Sequence, residues 1–156
     1  MEGYKLTYHV DMVFCIDATG SMRHVLDLVK QNALNLYRDI VAEVVDYFRE
    51  RTAQLRERGV RRIVVDPGFG FAKTLEQNYE LLAGLGELCA LGYPVLAGLS
   101  RKSMIYKLLG TTPAEALNGT TALHWECLRQ GAVILRAHDT REAVEVVRMF
   151  DQFMQA

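Results

Sequence analysis

Four short, mainly apolar runs divide the chain, and each of them ends at a polar residue. The runs cover residues 10–16, 62–65, 93–99 and 132–135, and the residues that end them are Asp17, Asp66, Ser100 and Arg136. Runs of this length that alternate with helical patterns are typical of parallel strands covered by helices. The sequence therefore predicts an α/β fold of four successive strand–helix units, with a polar side chain at the carboxyl end of every strand.

Helical periodicity fills the intervals between these runs. We predict helices over residues 76–91 and 112–131, the second with a break at Gly119, and a last helix that begins at Thr140. Thr112 followed by Pro113 and then Glu115 is a strong helix start, because it combines an N-cap, a proline at the first helical position and a capping glutamate. The last helix carries an apolar face made of Val144, Val147, Phe150 and Met154.

The segment from residue 21 to residue 58 is unusual, since its 38 residues include no glycine or proline. One continuous helix of this length would measure about 57 Å at 1.5 Å per residue. A compact domain of this size has a radius of gyration of only about 15 Å. We therefore expect the helix either to break near Asp39 or to project and be shared with another chain. Two architectures stay open: a half (β/α)8 barrel, or a flavodoxin-like doubly wound sheet.

Composition excludes some classes of function. The 156 residues form one domain's worth of chain with a net charge of −1, so bulk charge gives no reason to expect binding of nucleic acid or of an anionic membrane. The first residues lack the apolar core of a signal peptide, and no apolar run of 18 residues occurs. Three widely spaced cysteines in apolar segments favour free thiols in a reducing compartment. We expect a cytoplasmic protein.

A short oxygen-rich turn follows the first run. Asp17, Thr19 and Ser21 form an Asp-x-Thr-x-Ser pattern, and hard oxygen ligands of this kind suit Mg²⁺. With this pattern, residues 1–38 resemble the opening strand and helix of a von Willebrand factor A domain, a family in which these side chains bind a divalent cation. Three oxygens from one loop leave an octahedral ion half-coordinated. The alternative is that Asp17 and Ser21 cap the next helix, so we expect no cofactor unless Mg²⁺ binds at Asp17 and Ser21.

Three motifs follow in the rest of the chain, at residues 66–71 (Asp-Pro-Gly-Phe-Gly-Phe), 99–103 (Leu-Ser-Arg-Lys-Ser) and 136–139 (Arg-Ala-His-Asp). With these motifs in this order and at this spacing, residues 39–156 resemble the C-terminal half of dihydropteroate synthase. The resemblance implies a (β/α)8 barrel that joins a pterin pyrophosphate to p-aminobenzoate. Ala72 departs from the pattern, because the family usually has glycine there.

The resemblance also implies a role for each motif residue. It assigns Asp66, Phe71 and Lys102 to the pterin, Phe71 and Ser103 to the aminobenzoate pocket, and Arg136 and His138 to the pyrophosphate. These residue types suit the chemistry, since a carboxylate accepts from an aminopyrimidine edge, while Arg and His donate charge-assisted hydrogen bonds to phosphate. Taken singly, Asp66 reads equally as a turn starter, Lys102 as a solvated side chain and His138 as the polar start of a loop.

Two resemblances in one short chain favour an engineered chimera joined near Asp39. Because the pterin family places part of its site in an N-terminal half that we do not find here, we expect no catalytic activity. A half-barrel also leaves open edges, so we expect a homo-oligomer, most simply a dimer that completes the barrel. The first alternative is a remnant pterin- or phosphate-binding module. The second is a divalent-metal-dependent adhesion module.

Overall fold

A computed structural model describes residues 14–17 and 40–156 of the chain. Its strands are β1 (Phe14–Asp17), β2 (Ile63–Asp66), β3 (Leu96–Ala97) and β4 (Ile134–Leu135). Its helices are α1 (Ile40–Glu57), α2 (Leu75–Ala83), α3 (Leu85–Cys89), α4 (Ser103–Leu109), α5 (Leu117–Arg129) and α6 (Thr140–Met154), with a 3₁₀ turn at Pro113–Glu115. The predicted α/β class with parallel strands is confirmed.

The strands are parallel and lie side by side in chain order. β1 pairs with β2 from Phe14↔Ile63 to Asp17↔Asp66, and β3 pairs with β4 at Leu96↔Ile134 and Ala97↔Leu135. A parallel bridge between Val65 and Val95 places β2 next to β3. A flavodoxin-like sheet would place β1 between β2 and β3. Of the two architectures left open, the observed order is that of a barrel segment.

Helices pack on this sheet and bury its outer side. α1 presents a buried stripe at helical spacing, and β2 is buried along its whole length. The core that they share includes Val44, Phe48, Val65, Phe69, Leu81, Leu85, Leu88, Leu99, Met104 and Ile105. This core holds the carboxyl ends of β2, β3 and β4 at one edge of the sheet.

The predicted helix over 76–91 is two helices, because the chain breaks at Gly84. A capping box between Thr74 and Gln77 starts α2. At Gly84 an added Cβ would lie 2.6 Å from both methyl groups of Val41, so only glycine permits this close approach to α1. The helix therefore ends where another helix crosses it, which periodicity alone did not reveal.

Two further helix predictions need correction. The break predicted at Gly119 does not occur, since this glycine lies inside α5, where an added Cβ would collide with the side chain of Ile105. α6 begins at Thr140 as predicted, but it buries Ala143 and Val146, whereas Val144 and Met154 are exposed. α6 has apolar residues on more than one face, and the smaller residues take the inner positions.

The described part of the long segment 21–58 is α1, which ends at Glu57. The break predicted near Asp39 lies outside the described residues, as do Thr19 and Ser21. None of the described helices is both long and apolar enough to cross a membrane.

Candidate functional site

Asp66, the last residue of β2, lies at the base of the site and is almost completely buried. Its Oδ1 accepts a hydrogen bond from the backbone N–H of Gly68 at 2.9 Å, and its Oδ2 lies 3.5 Å from Nη2 of Arg136. A buried carboxylate is costly unless donors surround it, and a strand end supplies them here. Asp66 therefore joins the loop after β2 to the loop after β4.

The loop after β2 is held in shape by its own polar groups. Asn78 Oδ1 accepts from the N–H of Gly70 at 2.7 Å, and Lys73 Nζ donates to the carbonyl oxygens of Pro67 and Gly68 at 3.1 and 2.9 Å. Ala72 has φ +49°, a left-handed conformation that favours glycine. This conformation gives a physical reason for the glycine that the resemblance implies at Ala72.

The loop after β3 contributes a lysine and a serine. Lys102 Nζ donates to the carbonyl oxygen of Phe69 and lies 4.0 Å from the centroid of the Phe71 ring, which is a cation–π distance. Its stem passes so close to Gly70 that an added Cβ there would lie 2.7 Å from Cδ of Lys102. Ser100 is buried, and its hydroxyl oxygen faces the next loop.

The loop after β4 contributes an arginine and a histidine. Ser100 Oγ accepts from the backbone N–H of His138 at 3.2 Å and lies 3.1 Å from its ring Nδ1, so one hydroxyl orients the imidazole. The guanidinium of Arg136 lies over Gly98, where an added Cβ would be 2.5 Å from Nη2. Gly98 therefore sets how deeply the Arg136 side chain lies.

These loops enclose a cavity of about 240 Å³, which we call the strand-end cavity. It is lined by Phe71, Gly98, Ser100, Lys102, Arg136, Ala137 and His138. Lys102 and Arg136 bring two positive charges and His138 brings an imidazole, and the Asp66 carboxylate lies 3.5 Å from Arg136. The arrangement suits an anionic group with several oxygen acceptors.

Most of the residues predicted for the site therefore lie together. Phe71, Lys102, Arg136 and His138 line the strand-end cavity, and Asp66 is in contact with Arg136. Ser103 begins α4 and is not among the lining residues. Asp17 pairs with Asp66 in the sheet register, so its backbone lies at the same strand-end edge. Among the residues that the structure describes, no group of three or more His, Cys, Asp or Glu is placed to hold a metal ion.

The sequence placed Ser100 at the end of the third run but gave it no role in the site, and it missed Gly98. Both lie in the loop after β3, just before Arg101 and Lys102, and this position was their signal. It also missed a bidentate ion pair between Arg101 and Asp139, whose two nitrogen–oxygen distances are both 2.8 Å. The residues of this pair are 38 positions apart, and no local pattern connects them.

The pterin binding enzyme family matches residues 10–138, which is most of the chain. This chain belongs to the pterin binding enzyme family. The matched range starts at residue 10 and crosses the junction predicted near Asp39. It supports the predicted dihydropteroate synthase resemblance and gives the von Willebrand factor A resemblance no support.

Curated relatives of this pterin binding enzyme family member are dihydropteroate synthases. The protein from Escherichia coli strain K12 is 43% identical over 122 residues, which are 77% of this chain and 43% of the relative. The protein from Streptococcus pyogenes serotype M1 is 42% identical over 123 residues, which are 76% of this chain and 46% of the relative. The chain thus spans about half the length of the relatives that it matches.

Solved structures of dihydropteroate synthases share the fold of this family member. The dihydropteroate synthase of Thermus thermophilus matches with a TM-score of 0.71 at 42% identity, over 77% of this chain and 48% of its own. A dihydropteroate synthetase solved with a product matches with a TM-score of 0.79 at 32% identity, over 93% of this chain and 52% of its own. Both superpose as half of a longer structure, in agreement with the barrel-segment strand order.

Proposed function

We propose that this chain binds a pterin pyrophosphate, with the pyrophosphate in the strand-end cavity and the pterin ring against Phe71 and near Asp66. One observation carries the proposal: Lys102, Arg136 and His138 come from two different loops and line one cavity. The proposal is the remnant binding module predicted as an alternative to an inactive chimera. A family match that starts at residue 10 favours it over a junction near Asp39.

The size of the cavity supports this placement of the ligand. A volume of about 240 Å³ is below the roughly 300–1,000 Å³ of pockets that enclose a drug-sized molecule. Pyrophosphate fits such a volume, and its oxygens accept charge-assisted hydrogen bonds from a guanidinium and an imidazole. The Phe71 side chain is 42% exposed, so its ring offers a face to an aromatic ligand at the cavity mouth.

Complexes of related enzymes agree with this ligand class. The Thermus thermophilus enzyme has been solved in complex with 6HMPPP and with 4-aminobenzoate, and the Xanthomonas albilineans enzyme with 4-aminobenzoic acid. The latter matches 78% of this chain at 42% identity with a TM-score of 0.72. By this likeness we place aminobenzoate next to Phe71, toward Ser103 at the start of α4.

We further propose that the residues on this chain bind substrate and stabilise charge in the reaction. Displacing pyrophosphate from a pterin by an aromatic amine depends on positioning and on stabilising the leaving anion. Arg136 and His138 supply the second of these.

Isothermal titration calorimetry with inorganic pyrophosphate, at fixed ionic strength, tests the proposal. We expect binding by the parent protein, and binding weaker by about 10- to 100-fold in Arg136→Ala because a charge-assisted donor is lost. Arg141→Ala is the matched control, since Arg141 is 85% exposed on α6 and pairs with Glu145. No binding by the parent, or equal losses in the two variants, would overturn the proposal.

A further inference from the structure

The Arg101 side chain joins three segments of the chain around the site. Its Nε lies 2.8 Å from Oδ2 of Asp139, and its Nη2 lies 2.8 Å from Oδ1. Its Nη1 donates to the carbonyl oxygen of Pro113 at 2.8 Å and also to that of Ala114. Four of the five N–H groups of a guanidinium are thus used in fixed contacts. The side chain connects the loop after β3, the 3₁₀ turn and the loop after β4.

The backbone of Arg101 is held equally firmly. Its φ is +52°, a left-handed conformation that residues other than glycine adopt only where their surroundings fix it. The N–H of Arg101 donates to Oγ1 of Thr120 at 3.0 Å. Thr120 is buried on α5, and its hydroxyl donates in turn to the carbonyl oxygen of Ala116 at 2.8 Å. Residue 101 is therefore fixed to the helical layer as well as to the neighbouring loop.

The Asp139 side chain binds Arg101 instead of capping the helix that follows it. It occupies the N-cap position of α6, where an aspartate normally accepts a hydrogen bond from the first turn of the helix. Its side chain makes no capping hydrogen bond, and both carboxylate oxygens contact Arg101 instead. The Arg101 guanidinium holds the pKa of the Asp139 carboxyl below its usual value. The ion pair thus takes precedence over the helix cap.

We infer that Arg101 and Asp139 are positioning residues, which fix the distance between Lys102 and His138 across the strand-end cavity. Arg101 directly precedes Lys102, and Asp139 directly follows His138. The hydrogen bonds between Ser100 and His138 join the same two loops one residue away. The inference rests on the proposed function, because it concerns the groups that would hold the pyrophosphate.

A second ion pair in the same protein provides a matched comparison. Arg129 and Glu126 make the same bidentate contact, at 2.7 and 2.8 Å, but they lie three residues apart on the surface of α5. Glu126 also accepts from Nε2 of Gln130 at 2.8 Å, and neither member of the pair nor Gln130 lines the strand-end cavity. Removing its charge should leave the strand-end cavity unchanged.

The direction in which Asp139→Asn changes pyrophosphate affinity distinguishes a positioning role from a purely electrostatic one. Asp139→Asn removes a negative charge next to an anion site, so Coulomb's law alone predicts tighter pyrophosphate binding. If Asp139 acts by positioning, the same substitution weakens binding instead. Arg101→Lys keeps the positive charge but loses the planar fork, and it should weaken binding as well.

The test is a pyrophosphate titration of Asp139→Asn, Arg101→Lys and the control Glu126→Gln, with urea unfolding of each unliganded protein. We expect about tenfold weaker binding in the first two and less than a twofold change in the control. The double variant of Arg101 and Asp139 should lose little more than either single variant. Unchanged or tighter binding in Asp139→Asn would overturn the inference.

A ligand-free measurement keeps the inference testable even if pyrophosphate does not bind. The imidazole proton signals of His138 report its surroundings, and His138→Gln assigns them. We expect these signals to shift or broaden in Asp139→Asn and to stay in place in Glu126→Gln. Signals that do not move in Asp139→Asn would overturn the positioning role, whereas failure of the parent to bind pyrophosphate would overturn only the proposed function.

Discussion

Gly98→Ala tests the geometry of the strand-end cavity with a single methyl group. The added Cβ would lie 2.5 Å from Nη2 of Arg136, 2.7 Å from Nε and 3.0 Å from Cζ. An ordinary contact begins near 3.4 Å, so the guanidinium must retreat by about 1 Å. Since φ of Gly98 is outside the left-handed region, the alanine backbone itself is not strained. The substitution acts on the position of Arg136 and leaves the residue itself in place.

The expected effect on binding follows from this displacement. A retreat of about 1 Å lengthens a hydrogen bond of roughly 2.8 Å beyond the limit of about 3.5 Å. Losing one charge-assisted hydrogen bond costs about 1.5–3 kcal/mol, which weakens pyrophosphate binding by roughly 10- to 150-fold. Stability should change by less than about 2 kcal/mol, because Arg136 is 56% exposed and the buried Asp66 carboxylate keeps its hydrogen bond from the N–H of Gly68.

Calorimetric titration with pyrophosphate measures the change in affinity, and urea unfolding measures the change in unfolding free energy. Gly86→Ala is the matched control, because Gly86 lies on α3, away from the strand-end cavity. Its added Cβ would also meet the end of a flexible side chain, with Oε1 of Gln130 at 3.0 Å. Pyrophosphate affinity of Gly98→Ala within twofold of the parent would refute the reasoning. A loss of more than about 2 kcal/mol of unfolding free energy would refute it as well, because the effect would then be on folding.

Three further predictions concern stability and reactivity. Phe69→Ala should lower the unfolding free energy by about 3–5 kcal/mol in urea, since the ring is fully buried; a loss under about 1 kcal/mol would contradict this. Burial lowers the pKa of His124, so below pH of about 6.5 the unfolded chain binds a proton that the folded chain does not. Unfolding free energy should therefore fall as pH drops from about 6.5, by up to about 1.4 kcal/mol per pH unit, and His124→Leu should remove this part of the slope. Burial raises the pKa of Cys127 to about 12, so peptide mapping after iodoacetamide treatment at pH of about 8 should find Cys89 modified well before Cys127.

Apolar runs predicted the existence of the strands better than their lengths, and they left the order of the strands in the sheet open. The run over 93–99 becomes a strand of two residues, Leu96–Ala97, and the run over 132–135 becomes Ile134–Leu135. Hydrophobicity marks residues that are buried, whereas a strand also needs a partner at hydrogen-bonding distance. Loops that leave the sheet early shorten the paired region but stay in the core, as Val95 and Leu99 do.

Motif residues at strand ends predicted most of the candidate site, because parallel strands bring their carboxyl ends to one edge. Contacts that depend on backbone shape could not be predicted this way. The left-handed conformation of Arg101 sends its side chain to Asp139, and nothing in the residues around Arg101 specifies that conformation. The helix break at Gly84 likewise depends on where α1 crosses.

Chain-order pairing of the strands has a consequence for folding. Paired residues are separated by 49 positions between β1 and β2, by 30 between β2 and β3, and by 38 between β3 and β4. Each strand–helix unit therefore packs on the unit that precedes it in the sequence. None of these described pairings requires a more C-terminal part of the chain. These separations are set by the crossover connections that parallel strands need, and such pairing is slower than the local contacts of a helical bundle. Such a segment can acquire its structure progressively from the amino end during synthesis, one strand–helix unit at a time.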